Sequence, residues 1–460
     1  MKNAAAVFVV FVCAAALPSG AAAAPTPQEA GATQRADAPN PAVGTPQTLS
    51  LSLAETLRLA DERSPRLGQF RARIDLATAG LEGAKSGRMP TLHGVASYSR
   101  WSNVTPWTIE MGGVPTVVYP NLPNNATFEL SGSVPLYTGG RVEAEEEAAE
   151  HDISAATHDV ATATADLGLQ VTRSYWELSR AISQEQVLAE SIEAFDAFLV
   201  DARNREELGL AARNEVLAVQ TERDRAELRR VLAESNVAVL QDRLATLLDL
   251  PVGSRVEPTD ELDVSAAGAD LDSLVTSAFE QRPERQAALQ RIAAAEAKLA
   301  SAQALGKPVV AANGNLRYLN PNRREVPPAY GFGFNWDVTV GVTYDFFDGG
   351  KRDAAAATRV AEAEVARREL QEIDRTIRSE VVESYQRLAA ARAGVDVAQQ
   401  AIASAEENTR VTIDLYDEGL ARYSDRLDAQ VAELRSRLEL TEALVEVALA
   451  RATLDRAVGR

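Results

Sequence analysis

The sequence predicts a mainly α chain that also contributes a transmembrane β-barrel, with long helical hairpins joined to four strands per chain. Three observations predict this. The same order of segments occurs twice along the chain, each copy holds one very long helical stretch without proline, and each copy holds a pair of long alternating segments.

The N-terminus sets the compartment. Lys2 supplies a positive start, Ala4 to Leu17 form a short apolar run, Pro18 to Gly20 break it, and Ala21, Ala22 and Ala23 offer small cleavage positions. This is the layout of a secretory signal peptide, assigned to residues 1–24, and the run is too short to span a bilayer. Residues 25–48, rich in Pro, Ala, Gln and Gly, read as a disordered leader. The only cysteine, Cys13, lies within the expected signal, so the remainder has no thiol for disulfides or metal.

The duplication organises the rest, as a first repeat over 49–260 and a second over 261–460. Pro65, Ile74, Ala77, Leu81, Ala84 and Pro90 recur 218 positions later as Pro283, Ile292, Ala295, Leu299, Ala302 and Pro308. Further on the offset is 210, matching Gly139-Gly140 to Gly349-Gly350, Tyr175 to Tyr385 and Gly209 to Gly419. The change of offset places an eight-residue length difference between Pro90 and Gly139, where a loop absorbs it. Each copy therefore reads as a helix, a β-hairpin, a long helix and a second helix.

The long stretches run from Arg141 to Leu208 and from Lys351 to Glu418. At 1.5 Å rise per residue each is about 100 Å long, a length that points to coiled coils rather than to a globular domain. In the last helix Leu427, Val431, Leu434, Leu438, Thr441, Val445, Ala448 and Ala452 alternate spacings of four and three, a heptad-like seam.

Strands are expected over Thr91–Trp101, Asn125–Tyr137, Val309–Leu319 and Asn335–Phe347. In the fourth, Trp336, Val338, Val340, Val342, Tyr344 and Phe346 alternate with polar or small residues. Period-two alternation gives one apolar and one polar face, and such lengths suit a tilted strand crossing a bilayer. Trp101, Trp107, Tyr318, Tyr330 and Trp336 lie toward the loops, and Tyr137, Tyr344, Phe346 and Phe347 toward the long helices, as two interfacial girdles. Four strands cannot close a barrel, and lipid does not tolerate an open edge, so copies of the chain must supply the rest.

These features together resemble the TolC-type outer-membrane efflux proteins. The residues that carry the resemblance are the segment Leu51 to Ala60, the helix from Pro65 to Pro90, Tyr137 to Arg141, Phe347 to Lys351 and Gly419 to Asp428. It covers nearly all of the chain from about Leu49 onward. It implies a homotrimer with a twelve-stranded barrel and a periplasmic helical tunnel in the outer membrane of a Gram-negative bacterium. The partners implied are outer-membrane lipid, a periplasmic adaptor and an inner-membrane transporter. The function implied is the exit duct of a tripartite efflux or type I secretion system.

The resemblance also assigns residues. Asp425 and Asp428 map to an acidic ring at the periplasmic gate, where clustered carboxylates favour cations. Tyr416 and Glu215 map to a gate-holding hydrogen bond, and Gly209 and Gly419 to the hairpin-tip turns. A second latch of the family uses an arginine where this chain has Ala421, with Arg422 adjacent. Gly139, Gly140, Gly349 and Gly350 read as barrel-to-tunnel junctions, since glycine lets the backbone change direction.

Composition narrows the alternatives. A formal net charge of −19 with few basic runs argues against nucleic acid. His151 and His158 lack a ligand set, so no metal or other cofactor is expected, and no Ser/His/Asp arrangement or paired carboxylates suggests an enzyme. As first-turn acids, Asp425 and Asp428 equally suit simple helix capping beside Ser424. The other reading of the whole chain is a soluble periplasmic coiled-coil adaptor or scaffold, which ordinarily has one helical hairpin rather than two.

Overall fold

The computed structural model describes residues 47–260, 270–326 and 328–460. The expected signal peptide and the leader up to residue 46 lie outside the described residues. The last leader residue, Thr48, already belongs to a strand.

The described chain contains β1 (Thr48–Leu51), α1 (Leu53–Arg63), α2 (Pro65–Ser86), β2 (Thr91–Arg100), β3 (Trp107–Met111), β4 (Val114–Tyr119), β5 (Asn124–Tyr137), α3 (Arg141–Glu207) and α4 (Arg213–Leu247). These are followed by β6 (Arg255–Pro258), α5 (Leu271–Gln281), α6 (Pro283–Ala304), β7 (Val309–Asn320), β8 (Gly333–Thr343), α7 (Lys351–Asp417) and α8 (Tyr423–Val458). The two long helices have 67 residues each.

Proline marks the start of α2 and of α6. Pro65 and Pro283 sit in the first turn, where the missing N–H costs nothing, and each disfavours helix in the residue before it. That restriction separates the 11-residue helices α1 and α5 from their successors. Sequence reading did not resolve these two, although α1 opens with a capping box in which Ser52 and Glu55 bond each other's backbone N–H.

β2, β5, β7 and β8 form one antiparallel sheet in the order β2-β5-β7-β8. In its register Phe128 faces Tyr318, Leu130 faces Leu316, Leu316 faces Trp336, and Ala312 faces Val340, so the apolar residues of all four strands share one face. The opposite face carries Glu129, Arg317 and Asp337, with Arg317 bonded to Glu129 at 3.1 Å and to Asp337 at 2.6 Å. β8 ends at Thr343, short of the expected Phe347. Its partner β7 begins only at Val309, directly after Pro308, so Tyr344 to Phe347 meet no pairing strand among the described residues. The extra residues of the first copy form a small β3–β4 hairpin.

The helices form a wall one layer thick. Near the sheet, α2 packs on α3, α3 on α6, and α6 on α7; farther away α4 packs on α3, α3 on α8, and α8 on α7. The α8 seam faces the first repeat, since Leu427, Val431, Leu434 and Leu438 pack around Phe198, and Val445 and Ala448 around Tyr175 and Trp176. Midway along the wall β1 pairs in parallel with β6. The Tyr175 hydroxyl ties this region together, donating to the Leu51 carbonyl at 3.0 Å and accepting from the amides of Thr259 and Asp260.

Candidate functional site

Two regions carry the chemistry, the sheet and the hairpin tips. On the sheet, Leu92, Tyr98, Phe128, Trp336, Val338, Val340 and Val342 are all exposed on the shared apolar face. A soluble sheet buries such a face, and an exposed apolar area of this extent marks contact with a membrane or a partner. Its outer strands β2 and β8 each have one edge that no strand among the described residues covers. Among the described residues no helix is long and apolar enough to cross a membrane.

The junction glycines adopt the geometry the turn requires. Gly139, Gly140, Gly349 and Gly350 all have positive φ, between 69° and 87°, and Gly140 and Gly350 are the N-caps of α3 and α7. At Gly139 a β-carbon would lie 2.7 Å from that of Lys307, so close approach as well as φ selects glycine there. In the second copy Asp348 adds a cap, accepting from the amides of Gly350 and Arg352.

The hairpin tips turn at Gly209 (φ 73°) and Gly419 (φ 77°). In each, the residue after the glycine bonds back to a carbonyl of the long helix, Leu210 to Arg205 and Leu420 to Leu415, both at 2.8 Å. The second helices then begin with an acid at the same repeat position. Glu215 accepts from the Ala212 amide at 3.4 Å, and Asp425 accepts from the Arg422 amide at 2.9 Å. Both acids therefore cap helices, and Asp425 remains exposed while doing so. Asp428, one turn on, is exposed and makes no hydrogen bond or ion pair within the described residues.

Tyr416 and Glu215 are not hydrogen-bonded to each other among the described residues, although the Glu215 carboxylate lies near enough to act on the Tyr416 phenol. Capping holds the Glu215 carboxylate on its own helix. Tyr416 is buried in an aromatic cluster instead, edge-on to Phe198 at 5.9 Å, while Phe198 stacks on Tyr423 at 5.2 Å. Arg422, next to the Ala421 that stands where the family has its latch arginine, is exposed and forms no ion pair within the described residues.

Two other arginines join the repeats. Arg426 of α8 lies over Phe198 at 4.1 Å and pairs with Asp201 of α3 at 3.3 Å. Arg205 of α3 lies over Tyr416 at 4.3 Å and pairs with Asp417 of α7 at 3.0 Å. Burial pushes the Tyr423 phenol up to about 12. Burial also raises Tyr416, against the opposing effect of Arg205, so both rings stay neutral and apolar at physiological pH.

Sequence reading missed Phe198, Asp201, Arg205, Tyr423 and Arg426. A signal existed: at the 210 offset Arg426 matches Val216, Tyr416 matches Glu206, and Asp201 matches Val411. These positions lose the repeat's shared chemistry together because they meet one another.

The chain matches the family described as Outer membrane efflux protein over residues 56–249 and 274–460. Among solved structures it is similar to the outer membrane protein VceC of Vibrio cholerae, at 19% identity and a TM-score of 0.73, covering 88% of this chain and 96% of that one. It is similar to CusC at 16% identity and a TM-score of 0.74, covering 90% and 93%. It is also similar to the Neisseria gonorrhoeae MtrE outer membrane channel, described in its open state, at 16% identity and a TM-score of 0.72, covering 91% and 93%. No curated protein matches the sequence.

Proposed function

The chain belongs to the outer membrane efflux protein family, and from that premise we propose that it is the outer-membrane exit duct of a tripartite efflux or type I secretion system. One observation carries this reading: a four-stranded sheet with an exposed apolar face and two open edges runs through glycine junctions into two 67-residue helices. Three copies complete a twelve-stranded barrel in the outer membrane, and their helices continue it as a hollow periplasmic tunnel. An inner-membrane transporter supplies the driving force, and a periplasmic adaptor joins it to the tunnel. The duct needs no chemistry of its own.

At the tip, Asp425 and Asp428 of three copies form the acidic ring that favours cations. The latch that keeps the ring narrow is the cluster of Arg205, Tyr416 and Arg426 with Phe198 and Asp201, which joins the second repeat's hairpin to α3 of the first. Docked partners open the duct by separating these groups.

Fractionation of cells expressing the protein, followed by planar-bilayer recording, tests the reading. A detergent-resistant trimer in the outer-membrane fraction that forms cation-preferring channels is the expected result. A soluble periplasmic monomer overturns it and returns the chain to the adaptor or scaffold class.

A further inference from the structure

The order of helices in the wall leaves two faces uncovered among the described residues. Near the sheet the order is α2, α3, α6, α7, so α2 and α7 are outermost; farther away α4 and α7 are outermost. Inside the chain, α6 of the second repeat packs on α3 of the first. The repeat equivalents of those two helices are α2 and α7, and they are the two ends of the wall.

We propose that α7 of one copy packs on α2 of the next in the way that α3 packs on α6 within the chain, with Arg73 and Glu369 forming the ion pair between copies. The occupant of each free face is thus a second copy of this chain. This rests on the reading of the protein as a closed ring of copies and adds the surface and the residues that close it.

The residues carry the equivalence. Within the chain, Arg291 of α6 bonds both carboxylate oxygens of Asp159 of α3, at 2.7 and 2.6 Å. The offsets of 218 and 210 take Arg291 to Arg73 on α2 and Asp159 to Glu369 on α7. Opposite charges are therefore kept at both positions. Arg73 and Glu369 are both exposed, and neither has an ion pair among the described residues; Arg73 rests only on the ring of Phe70.

The apolar residues beside them agree. Ala294 and Ala155 are buried on α6 and α3, and their equivalents are Leu76 on α2 and Val365 on α7. Leu76 is 73% exposed and Val365 57% exposed. Large aliphatic side chains thus replace buried alanines on two faces that nothing among the described residues covers. Farther along, Leu449 of α8 packs against Tyr175 and Trp176 of α3, whereas its equivalent Val239 on α4 is exposed. The other ion pair of the internal α3–α6 seam among the described residues is not kept: Lys298 and Asp152 become Gly80 and Glu362, so Arg73 and Glu369 carry the register of the new seam.

Cross-linking in native membranes tests this. The only cysteine is Cys13, within the expected signal segment, so introduced thiols have no competitor in the processed chain. Arg73→Cys combined with Glu369→Cys and treated with a short bismaleimide should give covalent dimers and trimers on denaturing gels, and each single variant should give none. Arg73→Glu should lower the temperature at which the trimer dissociates in detergent, and adding Glu369→Arg should restore it. A trimer that persists without cross-linking between these positions overturns the seam while leaving the duct reading intact, as does failure of the charge swap to restore stability. Cross-linking only to another protein, such as an adaptor, also overturns the seam. A wild-type protein that is monomeric in the membrane overturns both.

Discussion

The guanidinium of Arg426 sits 4.1 Å above the ring of Phe198, on a helix of the other repeat, and reaches Asp201 one turn along from that ring. Cation–π contact and ion pairing thus act on the same group, and its side chain is only 12% exposed. Removing it leaves Asp201 with Arg205 alone and opens a gap beside two buried rings.

Arg426→Ala should therefore weaken the contact between the two hairpins by about 2–3 kcal/mol, combining a desolvated cation–π contact with a largely buried ion pair. In planar bilayers the variant should show a larger open conductance, and Arg205→Ala with Arg426→Ala a larger one still. Unchanged conductance in the double variant would remove the cluster from the latch.

Asp425 and Asp428 separate capping from selectivity. Asp425→Asn weakens a helix cap as well as a charge, costing about 0.5–1 kcal/mol in α8, whereas Asp428→Asn touches only the charge. Both should reduce cation preference in reversal-potential measurements, but only Asp425→Asn should lower thermal stability. Equal stability losses would mean that Asp428 has a structural partner in the assembled protein.

Val340 lies on the apolar face of β8 between exposed Val338 and Val342. Val340→Arg should destabilise the membrane-inserted protein by about 2–4 kcal/mol, the cost of a cation facing lipid near the bilayer centre. Thr339→Arg, on the polar face one residue away, should be tolerated. Refolding into lipid vesicles measures both, and equal losses would count against the assignment of faces.

The Tyr175 hydroxyl serves three backbone groups, those of Leu51, Thr259 and Asp260. Tyr175→Phe keeps the buried ring and removes all three bonds, at a cost of about 1–3 kcal/mol in thermal or denaturant unfolding. Hydrogen exchange should rise in β1 and β6 before it rises in α3.

Glu284 lies between Arg282 and Arg456, both with nearly buried side chains. Burial works against its ionisation, but hydrogen bonds from the two arginines outweigh burial and hold its carboxyl below the ordinary value. A group whose folded pKa is depressed contributes stability that is complete above its unfolded pKa and is lost as pH falls through the folded one. Wild-type stability should therefore drop on acidification below the ordinary glutamate range. Glu284→Gln should show a smaller acid-linked drop from a lower starting stability, as read by unfolding across pH.

Much of the fold was legible because its signals are periodic or conformational. The bounds of α3 and α7 followed from glycine pairs at one end, glycine turns at the other and the absence of proline between. The four strands followed from alternation, which depends only on which face is apolar. The end of β8 did not follow, because pairing depends on where β7 begins, and the alternating pattern runs on past that point to Phe346.

The sequence by itself determined the duplication, the long helices, the one-faced strands and the turns at Gly209 and Gly419, since each is a local property of spacing and backbone freedom. Only the tertiary structure decided which side chains meet across the repeats. Glu215 turned out to cap its own helix, and Arg205 and Arg426 rather than Arg422 reach the other hairpin. A one-residue step along a helix rotates a side chain by about 100°, so proximity in sequence does not fix which face it presents. That depends on how the helices pack.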